Sequence, residues 1–94
     1  MSIGYSQKLR AIRKHEGLTQ GRFAELTGIS LGSVKNYENG HSEIGLSTLE
    51  RVVNCPKLAK YTLWLMTDTT SPEAGQVAPP VPDMEEEKAK KSNG

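Results

Sequence analysis

Apolar residues recur along the first two thirds of the chain at helical spacing and then stop. Tyr5, Leu9 and Ile12 share one face of a first helix that ends near His15, with Gly17 as its stop. Thr19 is placed to cap a second helix, Gln20–Thr27, whose inward residues are Phe23, Ala24 and either Thr27 or Leu26. Gly28 supplies a turn, and Ser30 caps a third helix, Leu31–Glu38, with Ile29, Val34 and Tyr37 facing inward. Asn39-Gly40, two residues that tolerate the left-handed region, end it. Ser47 is the predicted cap of a fourth helix, Thr48–Asn54, with Leu49, Val52 and Val53 as its stripe. Pro56 separates it from a fifth, Lys57–Met66, containing Leu58, Tyr61, Leu63, Trp64 and Leu65. No stretch alternates as a strand does. The predicted fold is all-α, a compact body of five short helices.

From about residue 70 this pattern disappears. Pro72, Pro79, Pro80 and Pro82 interrupt regular structure, and a Glu/Lys run follows. Two parts are therefore expected: residues 1–68 as one folded domain and residues 69–94 as a Pro-rich, then charged, disordered tail. Glu86 with Lys90 and Glu87 with Lys91 have the spacing of a helical turn, but an isolated segment so short is marginal in water.

Charge sharpens the division. The net charge of the whole chain is +1, yet residues 1–66 hold nine Lys/Arg against five Glu, a net of +4. The remainder holds three Lys against Asp68, Glu73, Asp83 and Glu85–Glu87, a net of −3. A basic body suits a modest phosphate-binding surface, and on charge alone it suits a solvated mixed-charge surface equally well. A single cysteine, Cys55, excludes an intrachain disulfide and fits a reducing, cytoplasmic setting. No apolar run approaches a membrane span, and Met1-Ser2-Ile3-Gly4 is no signal peptide. The ending Glu-Glu-Glu-Lys-Ala-Lys-Lys-Ser-Asn-Gly is read as a natural terminus rather than a cut inside a linker.

Little here suggests chemistry on a substrate. His15 and His41 are far apart and lack the Cys or carboxylate spacing of a metal site, so no metal is expected. Cys55, beside Pro56, reads as a buried small residue rather than a redox centre. No nucleophile–base arrangement and no phosphate-cradling glycine loop can be built, so neither an enzyme nor a cofactor is predicted.

The informative stretch is Leu18–Gly40. Two short helices crossing steeply need a small residue at the crossing (Ala24), a glycine in the turn (Gly28) and apolar anchors around them (Phe23, Ile29, Val34, Tyr37). The third helix is then held by one face with the other free, and such a helix fits a B-DNA major groove about 12 Å wide. Leu18-Thr19-Gln20, Phe23-Ala24, Thr27-Gly28-Ile29-Ser30, Val34 and Tyr37-Glu38-Asn39-Gly40 together resemble the helix-turn-helix of the lambda-type phage repressor and Cro family, also called the XRE family. The resemblance runs over roughly Tyr5–Met66, including Trp64-Leu65-Met66-Thr67.

That resemblance implies a lambda-repressor-like DNA-binding domain and a sequence-specific regulator, a repressor of phage, prophage or bacterial genes. It makes Gln20 a phosphate contact that also braces the third helix. Thr19 and Ser30 at helix starts, and Asn39, Gly40, His41 and Ser42 in the following loop, become further phosphate contacts. Arg13 and Glu38 become an internal ion pair. Base reading falls to Leu31, Gly32, Ser33, Lys35 and Asn36. Here the chain departs from better-known relatives, which carry two glutamines where Leu31-Gly32 stands. Leu31 either touches a thymine methyl or packs inward, leaving discrimination to Ser33, Lys35 and Asn36. The implied partners are a palindromic double-stranded operator and a second copy of the chain. The dimer is expected through the last helix (Leu58, Tyr61, Trp64, Leu65), the alternative being that these four are all core. A toxin bound by the tail, as in an antitoxin of the same fold, is the rival function; a protein-interaction module whose DNA surface has decayed is a third.

Overall fold

The protein is described by a computed structural model for residues 3–80. Five α-helices follow one another: α1 (Tyr5–His15), α2 (Gln20–Thr27), α3 (Leu31–Glu38), α4 (Leu46–Val53) and α5 (Thr62–Thr67). Short 3-10 turns stand at Ala59–Tyr61 and Pro72–Ala74. No strand occurs among the described residues; the one β-type contact is an antiparallel bridge between Ser71 and Gln76.

The first three helices form as their sequences dictate. Leu9 and Ile12 of α1, Phe23 and Ala24 of α2, and Val34 and Tyr37 of α3 meet in one core with Ile29 from the α2–α3 turn. Thr19 Oγ1 accepts from the Arg22 amide at 3.1 Å, and Ser30 Oγ accepts from the Ser33 amide at 3.1 Å, so both hydroxyl caps satisfy a first-turn donor. Of Thr27 and Leu26, the inward residue is Thr27. Its hydroxyl donates to the Phe23 carbonyl at 2.8 Å and accepts from the Ile29 amide at 3.3 Å, so burying it leaves no polar atom stranded. Leu26 stays 39% exposed.

The second half departs from expectation in three places. α4 starts at Leu46 with Gly45 as its cap, two residues before the predicted Thr48, and no side chain caps it. The Leu49 amide reaches the Gly45 carbonyl at 3.2 Å, which draws Leu46 and Ser47 into the first turn. Its end also moves: Val53 is the last helical residue, and Asn54 caps it.

The predicted fifth helix, Lys57–Met66, is a 3-10 turn followed by the short α5. Leu58 bonds back to Cys55 and Tyr61 to Leu58, three residues apart each time. A three-residue period stacks side chains on one side. Leu58 and Tyr61 are thereby set on the same side, Trp64 and Leu65 follow on α5, and all four point into the core, at 0%, 1%, 7% and 1% exposure. This corrects the dimer expectation: the four residues assigned to a subunit contact are the floor of the monomer's own core and are covered. Met66 is the exposed apolar residue of α5.

The third departure lies in the Pro-rich stretch that the sequence assigns to the tail. Residues 71–77 fold back on the body. The Val77 amide donates to the Lys60 carbonyl at 2.9 Å. Gln76 accepts from the Leu63 amide at 2.9 Å, and its own amide donates at 3.1 Å to the Ala59 carbonyl, which Thr62 also bonds where the 3-10 turn meets α5. Pro79 is buried. The charged run from Met84 to Lys91, and any toxin contact there, lie outside the described residues.

Candidate nucleic-acid interface

α3 shows its two faces cleanly. Val34 and Tyr37 are buried at 0% and 3% exposure. Leu31, Gly32, Ser33, Lys35 and Asn36, the residues proposed to meet bases, are all exposed. Leu31 is 41% exposed, so of its two readings the outward one describes the fold. Ser33 is partly occupied: its hydroxyl lies 2.8 Å from Ser30 Oγ within the cap, taking a hydrogen bond while its own proton stays free to donate.

What holds α3 in place is a polar brace beside the apolar anchors. Arg13 of α1 makes a two-pronged bond to Glu38 at the end of α3, Nε to Oε2 at 2.8 Å and Nη2 to Oε1 at 2.9 Å. A third nitrogen of the same guanidinium donates to the Leu18 carbonyl at 3.0 Å. Gln20 Nε2 adds a bond to Glu38 Oε1 at 3.0 Å. The start of α2, the end of α1 and the end of α3 thus converge on one carboxylate whose side chain is 4% exposed. Burial pushes the Glu38 carboxyl up, but the hydrogen bonds from Arg13 and Gln20 and the Arg13 charge outweigh it and hold the group below the usual carboxylate range. Fork-to-fork geometry fixes orientation as well as distance, which a point charge does not. Gln20 uses one amide hydrogen here and keeps the other.

The loop after α3 is set by the helix end. The His41 amide reaches back to the Asn36 carbonyl at 2.8 Å and the Gly40 amide to Tyr37 at 3.2 Å. With Gly40 at φ +79°, these are the paired bonds of a Schellman motif, which requires a left-handed residue at that position. Asn39, Gly40, His41 and Ser42 are all exposed after this reversal. Thr19 and Ser30 are exposed at the starts of α2 and α3, and Gln20 is half-buried between them. Gly28, at φ +79°, makes the turn that brings the two helix starts into one assembly.

Sequence reasoning missed residues that support this frame from behind. Lys8 is 3% exposed, with its ammonium bonded to the Trp64 and Leu65 carbonyls at 3.1 Å each and to Asp68 at 2.6 Å. A cation at the end of α5 answers the carbonyls and partial negative charge that gather there. It also lies 5.3 Å from the centre of the Trp64 ring. The signal was present: Lys8 occupies the apolar stripe of Tyr5, Leu9 and Ile12 at three- and four-residue spacing. Glu16 was also passed over. It accepts from the Tyr61 hydroxyl at 2.5 Å and pairs with Lys60 at 3.0 Å. The Tyr61 bond is the largest influence lowering its carboxyl, opposed by burial and helped by Lys60.

His15 and His41 are exposed, and no group of three metal-ligating side chains exists among the described residues. No described helix is long and apolar enough to cross a membrane.

A family model described as helix-turn-helix matches residues 9–59. The chain is also 39% identical, over 79 residues, to Repressor protein C of Escherichia phage P2, an alignment covering 84% of this chain and 80% of that relative.

Proposed function

The chain belongs to the helix-turn-helix family of phage-repressor-like proteins, and from that premise we propose that it is a sequence-specific transcriptional repressor that inserts α3 into the major groove of duplex DNA. The observation that carries this reading is the division of α3. One face is buried and braced through Glu38, and the whole opposite row from Leu31 to Asn36 is open to solvent.

Within the groove, Lys35 suits guanine O6/N7 and Asn36 suits the paired donor and acceptor of adenine, each contact discriminating by about 1–3 kcal/mol. Ser33 supplies a rotatable donor. Leu31 meets a thymine methyl, and Gly32 allows close approach of the backbone, at a cost of about 1 kcal/mol to the helix relative to alanine. Thr19, the spare amide hydrogen of Gln20, Ser30 and the Asn39–Ser42 loop face phosphates, which set register without reading sequence. Arg13 and Glu38 keep the groove-facing row at a fixed angle. Repression then follows from occupancy: an operator overlapped by the protein is closed to other machinery. Two copies on a palindrome would place their α3 helices one DNA turn apart, about 34 Å.

Selection of binding sites from random duplex DNA tests this directly. A recurrent motif is the expected result, and affinity for it should drop roughly a thousandfold between 50 and 200 mM salt if about six phosphates are contacted. An unenriched pool at low salt would refute the reading. On the selected motif, Asn36→Ala should relax the preference at one base position, measured by competition among single-base variants; an unchanged profile removes Asn36 from the base readers.

A further inference from the structure

The first helix carries a polar stripe that the proposed interface leaves unused. Ser6, Arg10 and Arg13 stand four and then three residues apart on α1, the spacing that sets side chains one above another on a helix face. Arg13, at the end of the stripe, is committed to Glu38 and the Leu18 carbonyl. Arg10 lies nearly one turn earlier, about 4.5 Å back along the axis. It is exposed, and among the described residues its guanidinium has no ion-pair partner.

Its direction follows from its neighbours. Lys8, two residues before it, is drawn to the end of α5 by the Trp64 and Leu65 carbonyls and Asp68. Two residues turn an α-helix by about 200°, so Arg10 leaves α1 on the side away from α5. Arg13 meets the last residue of α3 on that same side. Electrostatics agree. Burial pushes the Glu38 carboxyl up, and behind the Arg13 and Gln20 bonds and the Arg13 charge, the charge of Arg10 helps to hold it down. An unspent guanidinium therefore stands near the end of α3 and near Gln20, whose spare amide hydrogen is assigned to phosphate. The planar fork of an arginine suits two phosphate oxygens at once.

We propose that Arg10 bonds a phosphate of the operator backbone, extending the DNA-facing surface from α2 and α3 onto α1. This contact rests on the repressor reading above. It adds affinity without adding discrimination, because phosphate contacts fix register and read no base.

The test measures the affinity of the whole chain and of Arg10→Gln for the selected motif and for a random duplex of equal length, from 50 to 200 mM salt. Losing one phosphate contact makes log affinity against log salt shallower by about 0.9, so the parent's advantage should shrink about 3.5-fold across that range. The change should be the same on both duplexes, and Arg10→Lys, which keeps the charge, should restore the slope. Lys60→Gln removes the same unit of charge from a residue already paired with Glu16, and should keep the parent slope. Weaker binding with an unchanged slope would show Arg10 acting only through Glu38 and would overturn the proposal. A loss confined to the selected motif, or an equal change of slope in Lys60→Gln, would overturn it too. A parent that binds no duplex sinks the repressor reading together with this contact; a parent that binds while Arg10→Gln keeps its full slope sinks the contact alone.

Discussion

Removing the Glu38 carboxylate should cost the domain a large share of its stability, because that one group holds three elements together. In Glu38→Ala, Arg13 loses both bonds of its fork and Gln20 loses its acceptor. The side chains of Arg13 and Glu38 are 13% and 4% exposed, so water compensates little. Breaking one partner of a buried pair costs about 3–5 kcal/mol. Arg13 keeps the Leu18 carbonyl and a sliver of solvent, which places the expected loss near the bottom of that range, about 3 kcal/mol. A domain of this size is stable by only about 4–12 kcal/mol, and each kcal/mol is worth about 4–8 °C in melting temperature. Urea titration followed by far-ultraviolet circular dichroism should therefore show a midpoint well below the parent, with an unchanged slope. The double variant Arg13→Met, Glu38→Leu removes both charges and should recover to within about 1 kcal/mol of the parent. A Glu38→Ala loss below about 1 kcal/mol would show that Val34 and Tyr37 alone hold α3, and the argument for a polar brace would fail.

Other perturbations probe the remaining supports. Lys8→Met keeps the aliphatic stem but strips the Trp64 and Leu65 carbonyls and Asp68 of their cation; a loss of about 2–3 kcal/mol by thermal melting is expected. Gly28→Ala should cost about 1–2 kcal/mol from its φ of +79° alone. Its new Cβ would also lie 3.0 Å from an Arg51 guanidinium nitrogen, but that flexible tip can move, so adding Arg51→Ala should recover little in the same melt. Glu16 and Glu38 both have lowered carboxyl pKa values in the fold, so their stabilisation is fully present above the unfolded value of 4.5 and is lost as pH falls through the depressed folded values. Urea midpoints should accordingly be flat from pH 7 to 5 and fall below about 4.5, with Glu38→Ala showing a shallower acid decline.

Most of the α1–α3 frame was legible because each choice there agrees with its neighbours: hydroxyl caps precede helices, glycines stand where the backbone reverses, and apolar spacing stays at three and four. Legibility failed where local preference and tertiary contact diverged. Ser47 is a good cap by residue type, yet α4 begins without a side-chain cap two residues earlier. The apolar run from Leu58 to Leu65 reads as one helix with too many greasy faces, whereas a 3-10 turn followed by a short α5 places Leu58, Tyr61, Trp64 and Leu65 all in the core. Prolines in residues 72–80 suggested an end to structure, whereas Gln76 and Val77 bond to backbone groups of Ala59, Lys60 and Leu63 where the 3-10 turn meets α5. Lys8 was hidden by its charge, since a lysine on an apolar stripe is ordinarily discounted. Among candidate contacts, the exposed row of α3 was readable from spacing alone, the Arg13–Glu38 pair and the bracing role of Gln20 came through family likeness, and the bond from Gln20 to Glu38 was not foreseen.

The brevity of α3 bears on how an address in a genome is recognised. Eight residues at 1.5 Å each make a rod of about 12 Å, no longer than the groove is wide. On the proposed reading, three polar side chains on such a rod would interrogate only a handful of neighbouring base pairs, and a word so short recurs by chance throughout any chromosome. Selectivity would then have to be compounded, by repeating the word on adjacent turns or by favouring duplexes that bend toward the loop after the helix.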